Sequence, residues 1–372
     1  MQNNWICLGL MSGTSGDGVD ASIIKTNGIN HYELIKDKYF EYDLDIYKDI
    51  HNLKEKIDSI DHLETYNKEL KILERKITIF HAEIIKELNI SDDTIIGFHG
   101  QTIYHSSKEK ISKQLGNGNL LNQLTKKNIV FNFRSNDILN GGEGAPLTPV
   151  FHHLVSIQNK IKLPVCFLNI GGISNITIVQ ERENLSKLIS KDIGPGNCII
   201  DAWVRKNSNK KFDRDGQLAS IGIKNEIIFE QAQELYINRK NKKKLSFDTN
   251  DFDISFVRGL NLEDGVATLT DFTASIISEE LSLSLKDSKA KVKDILLCGG
   301  GRKNKVLIKK IKENLAPNIS LKLIDNYKID GDFVESQAFA FLAIRSFLRL
   351  PISFPNTTGC KKACVGGELI KN

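Results

Sequence analysis

The chain has 372 residues, of which 40% are hydrophobic and 26% charged, and its formal net charge is +5. These values exclude a disordered or collagen-like chain, and the length is typical of about two domains. No apolar run reaches the roughly 20 residues of a membrane helix. We expect no signal peptide, because residues 1–6 carry no basic segment followed by an apolar one. Six cysteines are too few for a disulfide framework, so we expect a cytoplasmic protein.

Short apolar runs alternate with amphipathic segments along the chain, and this alternation predicts an α/β fold. In the first half, the pattern predicts strands at 5–10, 19–25, 94–98 and 129–133, a turn at 13–18, and helices over 63–88 and 149–157. In the second half, it predicts strands at 165–170, 176–180 and 294–298, turns at 171–175 and 299–301, a loop at 193–197 before a helix at 199–204, and a buried helix over 335–348. A strand, a Gly-rich turn and a returning strand thus open each half, which indicates an internal duplication with a boundary near 135–150.

The most informative segment follows the first predicted strand and consists of Gly13, Thr14, Ser15, Gly16, Asp17, Gly18, Val19 and Asp20. Glycines without Cβ let backbone N–H groups approach an anion, and hydroxyl groups add donors, so we predict a phosphate-binding loop. The segment has neither the Gly-Lys-Ser/Thr ending of a Walker loop nor the spacing of a dinucleotide site. Asp17 and Asp20 are positioned to provide a carboxylate near magnesium. A simple hairpin turn is the alternative.

Two further Gly-rich turns stand at predicted strand ends, one at Gly171 and Gly172 and the other at Gly299, Gly300 and Gly301. Three such turns predict a nucleotide lying between two domains, with its phosphates on the two hairpins and its adenosine at the third turn.

Several polar residues are candidates for catalysis or for binding a sugar. Asp192, beside the Gly-Pro-Gly corner, is a candidate general base, and capping of the following helix is the alternative. Arg134 suits a carboxylate or phosphate, with a surface ion pair as the alternative. The remaining candidates carry polar groups suited to sugar hydroxyls: His99, Gln101, Thr102 and Glu143. A lone histidine at a strand end is more often structural.

Two further features of the sequence are weaker indications of function. The Lys- and Asn-rich segments 205–211 and 239–244 lack interleaved aromatic residues, so we interpret them as solvated loops, with a phosphate-bearing partner as the alternative. Cys360 and Cys364 have no histidine nearby and no second cysteine pair, so the sequence does not predict zinc binding.

The chain resembles the anhydro-N-acetylmuramic acid kinase family over nearly its whole length. The matching segments include 9–20, His99-Gly100-Gln101-Thr102, Gly144-Ala145-Pro146-Leu147, 169–175, Gly194-Pro195-Gly196-Asn197 with Asp201-Ala202-Trp203, Cys298-Gly299-Gly300-Gly301 and 335–340. The resemblance implies membership of the superfamily of actin, sugar kinases and heat-shock ATPases. It implies two RNase-H-like domains with a cleft between them, which we place at 1–135 (joined by about 349–372) and 136–348.

The resemblance also implies a reaction. With ATP and Mg²⁺, such an enzyme opens the 1,6-anhydro ring of 1,6-anhydro-N-acetylmuramic acid with water and phosphorylates O6, giving N-acetylmuramic acid 6-phosphate and ADP in peptidoglycan recycling. Asp192 matches the base acting on the water, segment 13–20 the ATP-phosphate loop, and Glu335 a glutamate near the metal. The substrate-facing positions are His99, Gln101, Thr102, Arg134, Glu143, Gly196 and Asn197.

The chain departs from the family pattern at five positions: Gly16 for Met or Leu, Asn132 for Gly, Glu143 for Gln, Ile193 for Thr and Leu245 for Lys. We expect Gly16 to loosen the loop and Glu143 to repel the lactate of a muramyl sugar unless its charge is neutralised.

Three other functions remain open from the sequence: a kinase of this fold acting on another sugar, a nucleotide-gated binding protein without phosphoryl transfer, and a nucleic-acid-binding protein. We expect small-molecule substrates and neither nucleic-acid nor membrane partners, and the sequence leaves a homodimer open.

Overall fold

The computed structural model describes residues 3–238 and 245–372, so the basic segment 239–244 lies outside the described residues. The chain divides into two compact units. Unit 1 comprises residues 1–161, 182–188 and 332–372, and unit 2 comprises residues 162–181 and 189–331. Among the described residues, no helix combines the length and the apolar character needed to cross a membrane.

Unit 1 is built on a seven-stranded sheet. Its strands are β1 (Trp5–Ser12), β2 (Gly18–Thr26), β3 (Tyr32–Glu41), β4 (Ile95–Ser106), β5 (Ile111–Leu115), β6 (Ile129–Phe131) and β12 (Glu368–Ile370). Its helices are α1 (Leu44–Lys56), α2 (Ile60–Thr65), α3 (Asn67–Leu88), α4 (Gly118–Thr125), α5 (Ser135–Leu139), α6 (Pro149–Gln158), α12 (Val334–Phe347) and α13 (Pro355–Thr358).

Unit 2 is built on a five-stranded sheet. Its strands are β7 (Val165–Ile170), β8 (Ile173–Val179), β9 (Ile189–Pro195), β10 (Asp294–Cys298) and β11 (Ser320–Leu323). Its helices are α7 (Cys198–Asn207), α8 (Gln217–Ile221), α9 (Glu226–Asn238), α10 (Leu262–Asp287) and α11 (Lys305–Asn314). Buried side chains of α10 and α11 pack with those of the sheet in one hydrophobic core.

The same topology occurs in both sheets. In unit 1 the order is β3-β2-β1-β4-β6, with antiparallel pairing from β3 to β1 and parallel pairing from β1 to β6. In unit 2 the order β9-β8-β7-β10-β11 repeats both the connectivity and the strand directions. The α/β fold of two RNase-H-like units and the internal duplication are therefore confirmed. The predicted cleft remains a prediction.

Four local predictions differ from the structure. Residues 173–175, predicted as part of a turn, form the start of β8. The helix predicted over 63–88 is divided at Tyr66 into α2 and α3. Residues 99–102 lie inside β4, which continues to Ser106 because β5 pairs with its second half. Residues 193–195, predicted as a loop, form the end of β9, because they continue the antiparallel ladder with β8.

The predicted domain boundaries also differ from this division. Residues 136–161 and 332–348, which we assigned to the second domain, group with unit 1. The physical reason is α12, which packs against β1, β2 and β4 of the first sheet. Periodicity identifies α12 as a buried helix, but it does not show which sheet the helix covers.

The two faces of β1 pack against different helices, because successive residues of a strand face opposite sides of the sheet. Leu8 and Leu10 belong to the core cluster that also contains the buried side chains of α1 and α3. Gly9 points the other way, where a Cβ would lie 2.0 Å from the carbonyl oxygen of Ser336 in α12. A Cβ on Gly97 of β4 would lie 2.5 Å from the carbonyl oxygen of Phe339. The helix backbone thus rests directly on two glycines.

This contact predicts the effect of a single methyl group. Gly97→Ala will lower the free energy of unfolding of unit 1 by about 1–3 kcal/mol, because the added Cβ overlaps backbone that has no room to relax. Urea denaturation followed by circular dichroism measures the change. Gly13→Ala is the matched control, since its Cβ would meet only Ser15 Oγ at 3.7 Å. Equal stability of the two variants would contradict the proposed contact.

Candidate active site

The predicted phosphate loop connects β1 and β2 and is held by contacts to its backbone. The N–H of Gly16 donates to the carbonyl oxygen of Gly13 at 3.2 Å. The ammonium group of Lys54, on α1, donates to the carbonyl oxygen of Thr14 at 2.7 Å. Gly16 has a φ of +64°, and a Cβ there would lie 2.8 Å from Ile50. The loop is therefore a defined turn that this glycine fits.

Gln101 also supports this loop. Its side chain is fully buried, and its Nε2 donates to the carbonyl oxygen of Gly13 at 2.9 Å. We predicted a contact with substrate for Gln101. The structure instead places its amide nitrogen on the loop, which is a positioning contact. Its neighbour Thr102 is partly buried, and its hydroxyl accepts from Nε2 of Gln114 at 3.2 Å.

Acidic side chains surround the start of β2. Burial, the largest cause, and then the negative charges of its neighbours Asp17, Glu335, Asp332 and Asp37 together raise the pKa of Asp20 to about 8. Carboxylate oxygens are the ligands that Mg²⁺ prefers. A divalent cation would offset both the burial of the Asp20 carboxylate and its repulsion by the neighbouring carboxylates, so this set of donors fits a metal ion.

His99, inside β4, and Arg134, which follows β6, form a pair. Nη2 of Arg134 donates to Nε2 of His99 at 2.9 Å, and Nδ1 of His99 lies 2.7 Å from the carbonyl oxygen of Gly100. Burial and the charge of Arg134 hold the pKa of His99 well below its usual value. The imidazole is therefore neutral, with its proton on Nδ1 donated to Gly100. Through this bond His99 restrains the guanidinium group of Arg134, and the predicted contact of His99 with substrate stays a prediction.

The segment after α5 is attached to Arg134. Nη1 of the arginine donates to the carbonyl oxygen of Gly144 at 2.8 Å, and the N–H of Glu143 donates to the carbonyl oxygen of Thr358 at 2.8 Å. A groove of about 380 Å³ lies beside His99. Amide side chains line it: Gln114, Asn117, Asn119 and Asn132. These groups suit a polyhydroxylated ligand.

In unit 2 the three glycine motifs meet at the end of β7. The N–H groups of Gly196 and Asn197 donate to the carbonyl oxygens of Gly172 and Gly171, both at 2.8 Å. A Cβ on Gly299 would lie 2.7 Å from the carbonyl oxygen of Ile170. A Cβ on Gly301 would lie 2.3 Å from the side chain of the same residue, whereas Gly300 has nothing within 4 Å.

Asp192 lies on β9, opposite Asn175 of β8, and is almost fully buried. Its backbone N–H donates to the carbonyl oxygen of Leu245 at 2.8 Å, and its Oδ2 accepts from the N–H of Phe247 at 2.8 Å. These bonds hold the carboxylate in one orientation. Helix α7 has Asn197 as its N-cap, without a side-chain capping bond. The carboxylate of Asp192 bonds instead to the segment at 245–247.

Three residues that hold the candidate site were not predicted from the sequence. No motif marks Lys54, because the residue that it contacts, Thr14, is far from it in the sequence. Asp332 precedes α12, and only the packing of that helix brings it near Asp20. Arg302 is the third: its Nε and Nη2 donate to both carboxylate oxygens of Asp325 at 2.9 Å, and its Nη1 donates to the carbonyl oxygen of Gly299 at 3.2 Å. Arg302 thereby fixes the third glycine turn.

Comparisons with known proteins show which proteins this chain is similar to. The family model for anhydro-N-acetylmuramic acid kinase matches residues 5–372. An anhydro-N-acetylmuramic acid kinase of Pelagibacter ubique strain HTCC1062 is 56% identical over 375 residues, covering 100% of both chains. One from Agrobacterium fabrum strain C58 is 33% identical and covers 98% of each chain. A solved structure, the activator of the 2-hydroxyisocaproyl-CoA dehydratase from Clostridium difficile with bound ADPNP, is 10% identical with a TM-score of 0.41, covering 92% of this chain and 96% of its own.

The raised pKa of Asp20 predicts a pH-dependent stability. The unfolded chain releases this proton near pH 4, whereas the folded protein retains it up to about pH 8, so stability without metal falls as pH rises between these values. In a chelating buffer, Asp20→Asn will therefore melt above the parent protein, by a margin that widens from pH 5 to pH 8. Thermal denaturation at both pH values measures it. The exposed Asp93→Asn is the control, and a constant margin would refute the raised pKa.

Proposed function

The chain belongs to the anhydro-N-acetylmuramic acid kinase family and is an enzyme of this kind, and from that premise we propose how its residues carry the reaction. It is a kinase that uses ATP. The observation that carries the function is the family match over residues 5–372, together with full-length identity to a relative of that name.

The proposed reaction joins two bond changes. Water adds to the anomeric carbon of 1,6-anhydro-N-acetylmuramic acid, and the bond from that carbon to O6 breaks. The freed O6 takes the γ-phosphoryl group of ATP, leaving ADP and N-acetylmuramic acid 6-phosphate. Enzymes stabilise such transfers mainly by positioning and by neutralising charge.

Asp192 is the proposed general base, which accepts the proton of the attacking water. The support is its fixed carboxylate: the Phe247 N–H holds Oδ2, and the ladder with Asn175 holds the backbone. A general base must be within hydrogen-bond reach of its proton in a defined geometry, and a carboxylate restrained in this way meets that requirement.

Unit 1 provides the proposed phosphate and metal contacts. The turn 13–18 presents backbone N–H groups, and Lys54 adds a positive charge beside it. Asp20, Asp17 and Glu335 would hold Mg²⁺. A magnesium ion there would neutralise negative charge on the phosphoryl group during transfer. In unit 2, the joined turns at 171–172 and 299–301 are the proposed contacts for the rest of the nucleotide.

The sugar contacts are proposed for Arg134, which His99 orients, for Thr102 and Glu143, and for the amide-lined groove beside them. Gly196 and Asn197 are proposed for the same substrate in unit 2. Gln101 is assigned instead to support of the phosphate loop, because its side chain is buried there. The cytoplasmic location, the independence from nucleic acid and membranes, and a homodimer remain proposals without further support.

Product analysis tests the reaction. The purified protein is incubated with ATP, Mg²⁺ and 1,6-anhydro-N-acetylmuramic acid in ¹⁸O-labelled water. We expect label at the anomeric hydroxyl and phosphate on O6. Phosphate transfer to a different sugar alone would favour the other-sugar kinase, and intact sugar despite ATP binding would contradict the proposed mechanism.

Asp192→Asn tests the base. We expect turnover to fall by about 10²–10⁴-fold or more, with the Kd for ATP nearly unchanged, because only proton transfer is lost. Steady-state kinetics and calorimetric titration with ATP measure the two quantities. The exposed carboxylate of Asp287, changed to Asn, is the matched control. Turnover within a few-fold of the parent protein would remove Asp192 from the mechanism.

Substitution of Arg302 tests whether the turn at 299–301 contacts the nucleotide. Arg302→Ala removes hydrogen bonds between charged groups, and we expect the KM for ATP to rise about tenfold with a smaller change in kcat. Arg302→Lys will restore little, since an ammonium group does not bridge the two oxygens of Asp325 as a guanidinium does. The exposed Lys305→Ala is the control. An unchanged KM for ATP in both Arg302 variants would show that the turn does not depend on this arginine.

A further inference from the structure

The structure brings a third polar group to the cysteine pair that the sequence left unexplained. One carboxylate oxygen of Asp137, in α5, and the sulfur atoms of Cys360 and Cys364 all lie within 4.8 Å of one another. All three side chains are buried, with exposed fractions of 1%, 2% and 4%. Asp137 precedes both cysteines by more than 220 positions in the chain, so spacing alone did not reveal the cluster.

We propose that Asp137, Cys360 and Cys364 form a binding site for a borderline-soft divalent cation of the Zn²⁺ class. Two thiolates select zinc over magnesium or calcium, and a carboxylate oxygen is a regular third ligand. In a tetrahedral site with bonds of about 2.0–2.3 Å, neighbouring ligand atoms are about 3.4–3.8 Å apart. The observed separations of up to 4.8 Å therefore need side-chain shifts of about 1 Å.

Asp137 is held in place for this role. Its Oδ1 accepts from the hydroxyl groups of Ser353 and Thr358 at 2.5 and 2.6 Å, and its Oδ2 accepts from the N–H of Gly144 at 2.8 Å. A carboxylate has about four acceptor positions, so one remains on Oδ2. Carboxylates that bind a metal ion are usually hydrogen-bonded in this way. Ser353 Oγ, which lies 4.0 Å from Cys360 Sγ, is a further oxygen donor beside the cluster.

The ligands determine the charge of the occupied site. Cys360 and Cys364 are free cysteines, and a cysteine binds a metal ion as its thiolate. Binding releases both thiol protons to solvent. The bound site then carries a net charge of −1 from two thiolates, one carboxylate and one divalent cation. Lys361 and Lys362, between the cysteines, provide compensating positive charge nearby.

The site would connect three segments of unit 1. Asp137 already bonds to Gly144 in the segment that carries Glu143, and Thr358 bonds to both Asp137 and the Glu143 N–H. A metal bound to Asp137 would link this network to the loop at 360–364. The inference concerns structural metal binding, and it does not depend on the identity of the sugar.

The test uses the full-length protein, reduced and freed of metal, titrated with Co²⁺ and then with Zn²⁺. We expect a thiolate-to-cobalt charge-transfer band that saturates at one equivalent and disappears when Zn²⁺ is added. Cys360→Ser and Cys364→Ser will each abolish the band. Cys7→Ala, which removes a buried thiol in β1 of the same unit, will retain it.

Thermal denaturation provides a second measurement that avoids altering Asp137, whose loss endangers folding. Zn²⁺ will raise the melting temperature of the parent protein and of Cys7→Ala. It will not raise the melting temperature of Cys360→Ser or Cys364→Ser. Two results would overturn the proposal. One is free, titratable thiols at both positions with no cobalt–thiolate band. The other is a Cys360–Cys364 disulfide in the protein as isolated that re-forms in preference to metal binding.

Discussion

The close contact between α12 and the centre of the first sheet is the constraint on which the site in unit 1 depends. Gly9 and Gly97 leave no side chain between strand and helix, so the helix backbone meets the sheet directly. Polar bonds then secure the same surface: Ser22 Oγ pairs with Ser336 Oγ at 2.6 Å, and Gln337 donates to Asp37 at 3.0 Å. This contact brings the carboxylates of Glu335 and Asp332 close to Asp20. Both residues are far from Asp20 in the sequence, so only the packing of α12 on the sheet places them together.

The duplicated topology places a glycine-containing hairpin turn at an equivalent position in each unit. In each unit a hairpin begins the sheet, and its turn lies beside the strand that follows in parallel. In unit 1 the turn contains hydroxyl and carboxylate side chains and is supported by Lys54. In unit 2 the turn is only Gly171–Gly172, and it accepts bonds from the start of α7. The side chains of the first turn suit contacts with charged groups of a ligand. The second turn has no side chains, so a ligand can approach its backbone closely.

The sequence predicted those features that local patterns encode. Strands β7 and β10 begin and end at the residues that alternation and glycines indicated, and the hairpins of both units followed from the same signals. Long-range contacts were not predictable in this way. The second half of β4 depends on pairing with β5, α12 belongs to the first sheet through two glycines, and Gln101 turns inward to Gly13. The motifs gave the candidate residues, but only packing shows which of them, such as Gln101, support a loop.

Two departures from the family pattern show how backbone contacts reduce the effect of side-chain changes. Gly16 stands where the family usually has Met or Leu, yet it has a positive φ and Ile50 lies against it, so here the turn is closed rather than loosened. Leu245 replaces a usual Lys, and its contact with Asp192 is made by its carbonyl oxygen. The next bond, from the Phe247 N–H to Asp192, is also a backbone bond. Because neither bond uses the side chain of residue 245, the orientation of the Asp192 carboxylate survives the exchange of a cation for an apolar group.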